Sequence, residues 1–472
     1  MRRPVWILYV FVVGLALHNF VMAELWAAGI RGTALDVVSA WKELLLALGI
    51  LVVLRGRGWS WRFHPTVVDW LAITYGAVVL IWGVIPQHVL DGGATHRGVV
   101  LGVRHDLLPV AAYFFGRGLA LTRRDLRRVG AAILATAVVV AAFGLVDIYA
   151  IPLSWWRHSG APDWFTHQLG FDYQGLSGLP ENFIYNTGDE HPLRRLVSFF
   201  LSPLATSYML VTALLLSAAW VGRMRPRLVL WIPTVALLYA GLLWTHSRSS
   251  YLALAFGFLV FAAIRPGWRL ALVGSAVAVV VTGFAFVRVY PHIAPTTSFT
   301  GDELACQRYH AHHPAIPMDC AEQVGGSALG PRALQAAPAG EPAVNGLSDA
   351  STESHWRSLR DGISTVVRHP QGYGPGNAGS TAARTGAAIK AGESTYTELG
   401  VDTGLVGGLL FVAWSLAVLV GLLRCGGWIA AAMAAMLALG LQTDIVGVPW
   451  VVFVMWPLAG WALSNREPRG DM

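Results

Sequence analysis

Apolar runs of membrane-spanning length dominate this chain. A hydrocarbon core about 30 Å thick needs roughly 20 consecutive apolar residues in a helix. Runs of that kind recur near 5–23, 34–54, 67–85, 99–120, 129–150, 197–221, 227–245, 249–264, 269–290, 402–423, 427–443 and 447–464. Backbone in lipid must satisfy its own hydrogen bonds, so each run is expected as a helix. Composition agrees, with 55% hydrophobic and 13% charged residues, where soluble domains carry about 25% charge. The expected fold class is therefore an all-α polytopic membrane protein with about 12 transmembrane helices and a large, partly helical outer loop between spans 9 and 10.

The net charge of +7 follows from where the basic residues sit. Alternate connections carry Arg55, Arg57 and Arg62; Arg123, Arg124, Arg127 and Arg128; Arg223, Arg225 and Arg227; Arg265 and Arg269; and Arg424. Arg2 and Arg3 mark one terminus, Arg466 and Arg469 the other. Twelve spans place all of these on one side, which the positive-inside rule makes the cytoplasm. The expectation is a bacterial cytoplasmic (inner) membrane protein, multi-pass, with both termini cytoplasmic. Membrane lipids are its expected surroundings and no nucleic acid is expected as a partner. The first run lacks a small-residue cleavage site and reads as a span, not a cleavable signal.

Three expected regions follow. Residues 1–290 hold spans 1–9 with an outer, aromatic-rich connection at 151–196, where Trp155, Trp156, Trp164, Phe165, Phe171 and Tyr173 suit the headgroup level. Residues 291–401 form a large extracytoplasmic (periplasmic) loop, and 402–472 hold spans 10–12 and a short cytoplasmic tail. Inside the loop, Trp356, Leu359, Ile363 and Val366 recur at helical spacing and predict an amphipathic helix. Cys306 and Cys320 lie together in it, and an oxidising outer compartment permits a disulfide between them.

Several polar residues stand where they are costly. Arg248 lies in a minimal outer turn, Thr245-His246-Ser247-Arg248-Ser249, and either meets an anionic partner or snorkels to the interface. Guanidinium groups match phosphate oxygens bidentately and stay charged. Arg195, at the outer mouth of span six beside Ser198, Ser202 and Pro203, is a second such residue or a flanking anchor. Arg104, His105 and Asp106 in span four, and Lys42 and Glu43 in span two, either pair between helices or face a cavity. Glu393, Glu398 and Asp402 approach the outer surface before span ten. Each is a candidate proton acceptor, although acidic residues at a helix start are also favoured by its dipole. His310, His312 and His313 lack a further ligand at fixed spacing, so no metal is expected. The glycine-rich 372–376 stretch lacks the Lys and Ser/Thr of a nucleotide-binding loop.

Taken together, these stretches resemble one family. Thr245-His246-Ser247-Arg248 resembles the T-x-S-R motif of the bacterial O-antigen ligase and polymerase superfamily. His369-Pro370 with Gly372, Gly374 and Gly376 resembles its H-P-x-x-G-x-G element. Glu393-Ser394-Thr395-Tyr396, then Gly404 and Gly407, resembles its final outer motif, and Arg195 with Ser198 and Pro203 its other outer arginine motif. The resemblance implies transfer of a glycan from a polyprenyl pyrophosphate (undecaprenyl pyrophosphate type) donor to a glycan, lipid or protein acceptor. It implies that Arg195 and Arg248 hold the pyrophosphate, without a metal or other cofactor, and that a carboxylate, Glu393, is the catalytic base. Ser247, His369, Tyr396, Arg104 and Lys42 stand second. Ligases of this kind carry His followed by Asn or Ser where this chain has Glu393-Ser394, so both ligase and polymerase stay open. The rival is a multi-pass secondary transporter, which should show related halves and helices broken at the midplane. No internal repeat is evident.

Overall fold

A computed structural model describes residues 4–57, 65–171, 179–180, 183–185, 193–224, 228–295, 350–425 and 427–464. Cys306, Cys320 and the histidines at 310, 312 and 313 lie outside the described residues. Almost everything described is helical. In chain order the helices are α1 (Val5–Ala27), α2 (Thr33–Ser39), α3 (Trp41–Arg57), α4 (Val67–Val84), α5 (His96–Gly118), α6 (Arg123–Ala150) and α7 (Leu153–His158). Then come α8 (Pro203–Met224), α9 (Leu228–Trp244), α10 (Arg248–Ile264), α11 (Arg269–Ile293), α12 (Ala350–Arg368), α13 (Gly379–Thr385), α14 (Thr395–Cys425), α15 (Trp428–Leu439) and α16 (Val451–Ser464). Two-residue strands, β1 (Ile184–Tyr185) and β2 (Leu193–Arg194), pair antiparallel.

Seven described helices are long and apolar enough to cross a bilayer, and α2 with α3, bent by 41°, makes an eighth. Helices α9, α10, α15 and α16 are apolar but shorter. The all-α polytopic architecture expected from the sequence is what the chain adopts. Its outer helices turn large apolar side chains away from the protein, with Leu270 89% and Val229 85% exposed. In a bilayer those faces meet lipid, so their exposure carries no penalty.

Small residues decide which helices touch. A Cβ on Gly116 of α5 would lie 2.1 Å from the Pro457 carbonyl oxygen, and one on Gly460 of α16 would lie 2.2 Å from that of Tyr113. Helices α5 and α16 therefore meet backbone to backbone, the contact that small residues permit in membranes. At the end of α5 that includes Arg117, Asp69 of α4 accepts from Arg117 at 2.8 Å and from the Tyr113 hydroxyl at 2.8 Å. The same carboxylate closes a capping box with Thr66.

Two expectations change in detail. Helix α14 begins at Thr395, earlier than the run from 402, and breaks at Gly404 (φ 71°, ψ 178°), where the loop after α12 presses in. In the aromatic connection after α6, not every aromatic side chain faces outward. Trp156 and Trp164 are buried against Trp26 and Phe183 in a small second core, because the Trp156 indole donates to Asp147 at 2.7 Å.

Candidate functional site

The two sequence-predicted arginines come to one place, and the backbone explains how. Between β2 and α8 the chain runs beside the α9–α10 turn, with Leu196 N donating to the Trp244 carbonyl at 3.0 Å. Arg195 is buried and its Nε donates to the Thr245 carbonyl at 3.0 Å. Arg248 opens α10 on the same turn, its guanidinium 6.0 Å from the centre of the Tyr185 ring. His246 stacks on Tyr290 at 4.4 Å and meets Tyr185 at 4.5 Å. Burial depresses the Arg195 pKa below its ordinary value; Tyr290, Tyr251 and Tyr185 oppose this, and the charge of Arg248 adds to it. The neighbouring Arg194 is different, since it is locked to Asp147 at 2.8 Å and to backbone carbonyls.

Ser247 belongs to the same turn. Its hydroxyl lies 2.8 Å from that of Ser250, which lies 2.7 Å from that of Ser207 on α8. This hydroxyl chain ties α8 to the start of α10, directly beneath Arg248 in sequence.

The glycine motif after α12 is a brace. Gly372, Gly374 and Gly376 have φ of 75°, 89° and 94°, a left-handed region that costs glycine nothing. A Cβ on Gly376 would lie 2.5 Å from the Gly98 carbonyl oxygen, and one on Gly372 would lie 2.3 Å from the Gly404 nitrogen, so the loop is wedged between α5 and α14. The amides of Gly376 and Asn377 donate to Asp402 at 3.1 Å each. Those donors are used internally, which accounts for Asp402. His369 stacks on Tyr373 at 4.0 Å with Nε2 3.2 Å from the Leu90 carbonyl, and Tyr396 donates to the Leu437 carbonyl at 2.7 Å. Both hold the brace in place.

Glu393 stands just before α14 with φ 73°, unusual for a side chain other than glycine. Its carboxylate is half exposed and meets His355 Nδ1 of α12 at 2.5 Å. That ion pair is with His355, not with either arginine. Two residues on, Thr395 donates to the Thr443 carbonyl at 3.0 Å. The Thr443 hydroxyl in turn bonds the Tyr208 hydroxyl of α8, which links the Glu393 segment to the helix that follows Arg195.

The second-rank charges of spans two and four are mostly paired. Lys42 lies 2.7 Å from the Ser39 carbonyl, 3.6 Å from Glu43 and 3.4 Å from His18. Arg104 lies 3.7 Å from Glu43. Arg384 of α13 is held down to a pKa of about 10 by burial and then by Arg104 and Arg97, so further positive charge collects here. Beyond α5's arginine, His105 sits between two carboxylates, Asp106 at 2.9 Å and Asp444 at 2.9 Å. Sequence reasoning did not single out Asp444. Its only signal is a lone carboxylate in the short connection between two apolar runs.

With this arrangement in view, a comparison with known families adds to the reading. Residues 233–412, which include Arg248, the glycine brace and Glu393, match the family described as O-antigen ligase. Over those residues the chain is similar to the O-antigen ligase family. No curated protein matches the chain. The match falls on a chain whose described helices are, in seven cases, long and apolar enough to cross a bilayer.

Proposed function

We propose that this protein transfers a glycan from a polyprenyl pyrophosphate donor to an acceptor at the outer face of the cytoplasmic membrane, as a polymerase or ligase. The observation that carries this reading is the shared turn. Arg195 bonds the Thr245 carbonyl, and Arg248 follows three positions later at the start of a helix. Two guanidinium groups and the positive end of a helix dipole together make a site for a diphosphate.

In the reaction, the acceptor hydroxyl oxygen bonds to the anomeric carbon of the donor sugar. The bond from that carbon to the pyrophosphate oxygen breaks, and the electron pair leaves with the lipid pyrophosphate. Negative charge grows on that leaving group, and Arg195 and Arg248, already in position, stabilise it as it forms. The hydroxyl proton passes to a carboxylate, for which Glu393 is the candidate. His355 contacts the Glu393 carboxylate and fixes its position beside the strained backbone.

The test is transfer by purified protein from a polyprenyl pyrophosphate-linked glycan, with lipid A-core and a second lipid-linked unit offered as separate acceptors. Product on the first acceptor identifies a ligase and product on the second a polymerase. Full transfer by both Arg195→Ala and Arg248→Ala would end the diphosphate assignment. Uptake of a solute with no glycan transfer to any acceptor would favour the transporter reading.

A further inference from the structure

We propose that His105, Glu398 and Asp444 hold a small divalent cation, with Asp106 as the outer carboxylate that orients the imidazole. One ligand atom from each of the three residues, an imidazole nitrogen and two carboxylate oxygens, lies within 4.8 Å of the other two. Around a first-row divalent ion such ligands sit about 2.0–2.2 Å from the metal, so opposed ligand atoms are about 3–4 Å apart. Only a small contraction would close the site.

The unsatisfied groups are what point to a cation. Glu398 is 5% exposed, and among the described residues its carboxylate accepts no hydrogen bond and forms no ion pair. Asp106 is 1% exposed, with Oδ2 buried and no partner. Asp402 lies close enough for its charge to act on Glu398 as well. His105 contacts two carboxylates, Asp106 and Asp444, and lies in the same cluster as Glu398, and among the described residues no Lys or Arg pairs with any of the three. Buried carboxylates in that excess are costly unless a positive charge joins them.

The hydrogen bonds around His105 have the form seen at metal histidines. Asp106 Oδ1, 2.9 Å from Nδ1, fixes the proton on that nitrogen, which leaves Nε2 facing Asp444 Oδ2 at 2.9 Å. A cation entering there displaces a proton from Nε2 and bridges Asp444 to Glu398. Imidazole with carboxylates suits Zn²⁺ or Mn²⁺. The ligands come from α5, from the first turn of α14 and from the connection between α15 and α16, so the ion would tie three elements, two of which hold the glycine brace between them. The site is independent of the pyrophosphate reading, and its readouts are metal content and stability.

The full-length protein in detergent is stripped with a chelator, desalted and titrated with Zn²⁺ by calorimetry, and separately with Mn²⁺. The expected result is one ion per chain, released protons and a raised Tm. Glu398→Gln or Asp444→Asn should lose stoichiometric uptake, and Asp106→Asn should weaken it about 10–100-fold. Because the variants can misfold, Mn²⁺-loaded wild-type protein is also examined by pulsed electron paramagnetic resonance for a coordinated histidine nitrogen. No stoichiometric uptake by the wild type, wild-type affinity in Glu398→Gln and Asp444→Asn, or bound Mn²⁺ without nitrogen coupling would each overturn the proposal.

Discussion

Charged groups are treated in opposite ways at the end of α5 and in its middle. At one end Asp69 is buried and fully used, by Thr66, by the Tyr113 hydroxyl and by Arg117, whose other amine meets Ser464 at 3.0 Å. About three turns away along the helix, Asp106 joins Glu398, Asp402 and Asp444 in a gathering of carboxylates around the single imidazole of His105. Across the Tyr208–Thr443 contact lies the opposite gathering, Arg195 and Arg248. Opposite charges matched within the fold act as locks. Like charges assembled within the fold are where the two proposals place a ligand of the other sign, anionic at the arginines and cationic at the carboxylates.

The contrast can be broken or sharpened by substitution. The largest effect should come from the arginines: Arg195→Ala and Arg248→Ala should each reduce glycan transfer by at least about 100-fold while folded protein is still recovered. Size-exclusion profiles alongside the transfer assay check this. Glu393→Gln should lower turnover by about 100-fold or more; a near-normal rate would move the base to another group.

At the matched end the loss should be of stability. Asp69→Ala leaves the Arg117 guanidinium, 10% exposed, without its carboxylate, and should cost about 3–5 kcal/mol. Thermal unfolding in detergent measures it, and a loss under about 1 kcal/mol would show that the pair is not a lock. The smallest effect should be that of Asp106→Asn in metal-free protein, where removing one of several like charges should leave Tm unchanged or raise it. A large drop there would place Asp106 with Asp69 among the locks.

Much of this was legible along the chain because membranes enforce local rules. Apolar runs had to be helices, so the all-α architecture and the long apolar helices follow from residue order, whereas the short helices α7 and α13 and the bend between α2 and α3 do not. The turn at Arg248 could be read too, because an arginine between two apolar runs needs an explanation wherever it lies. Glycines 372, 374 and 376 announced a tight loop, yet nothing local said that Asp402 would take its amides. The sequence offered Glu393, Glu398 and Asp402 as equals; in the fold Glu393 is exposed beside His355, the buried Glu398 carboxylate accepts no hydrogen bond among the described residues and Asp402 is a brace.

Residue order alone therefore determined the helical membrane class and the family motifs, since both depend on spacing within one segment. Tertiary structure decided which charges meet. Arg195 reaches Arg248 across 53 positions, and His105 reaches Asp444 across 339. No periodicity records such meetings, because they depend on which helices the glycines allow to touch.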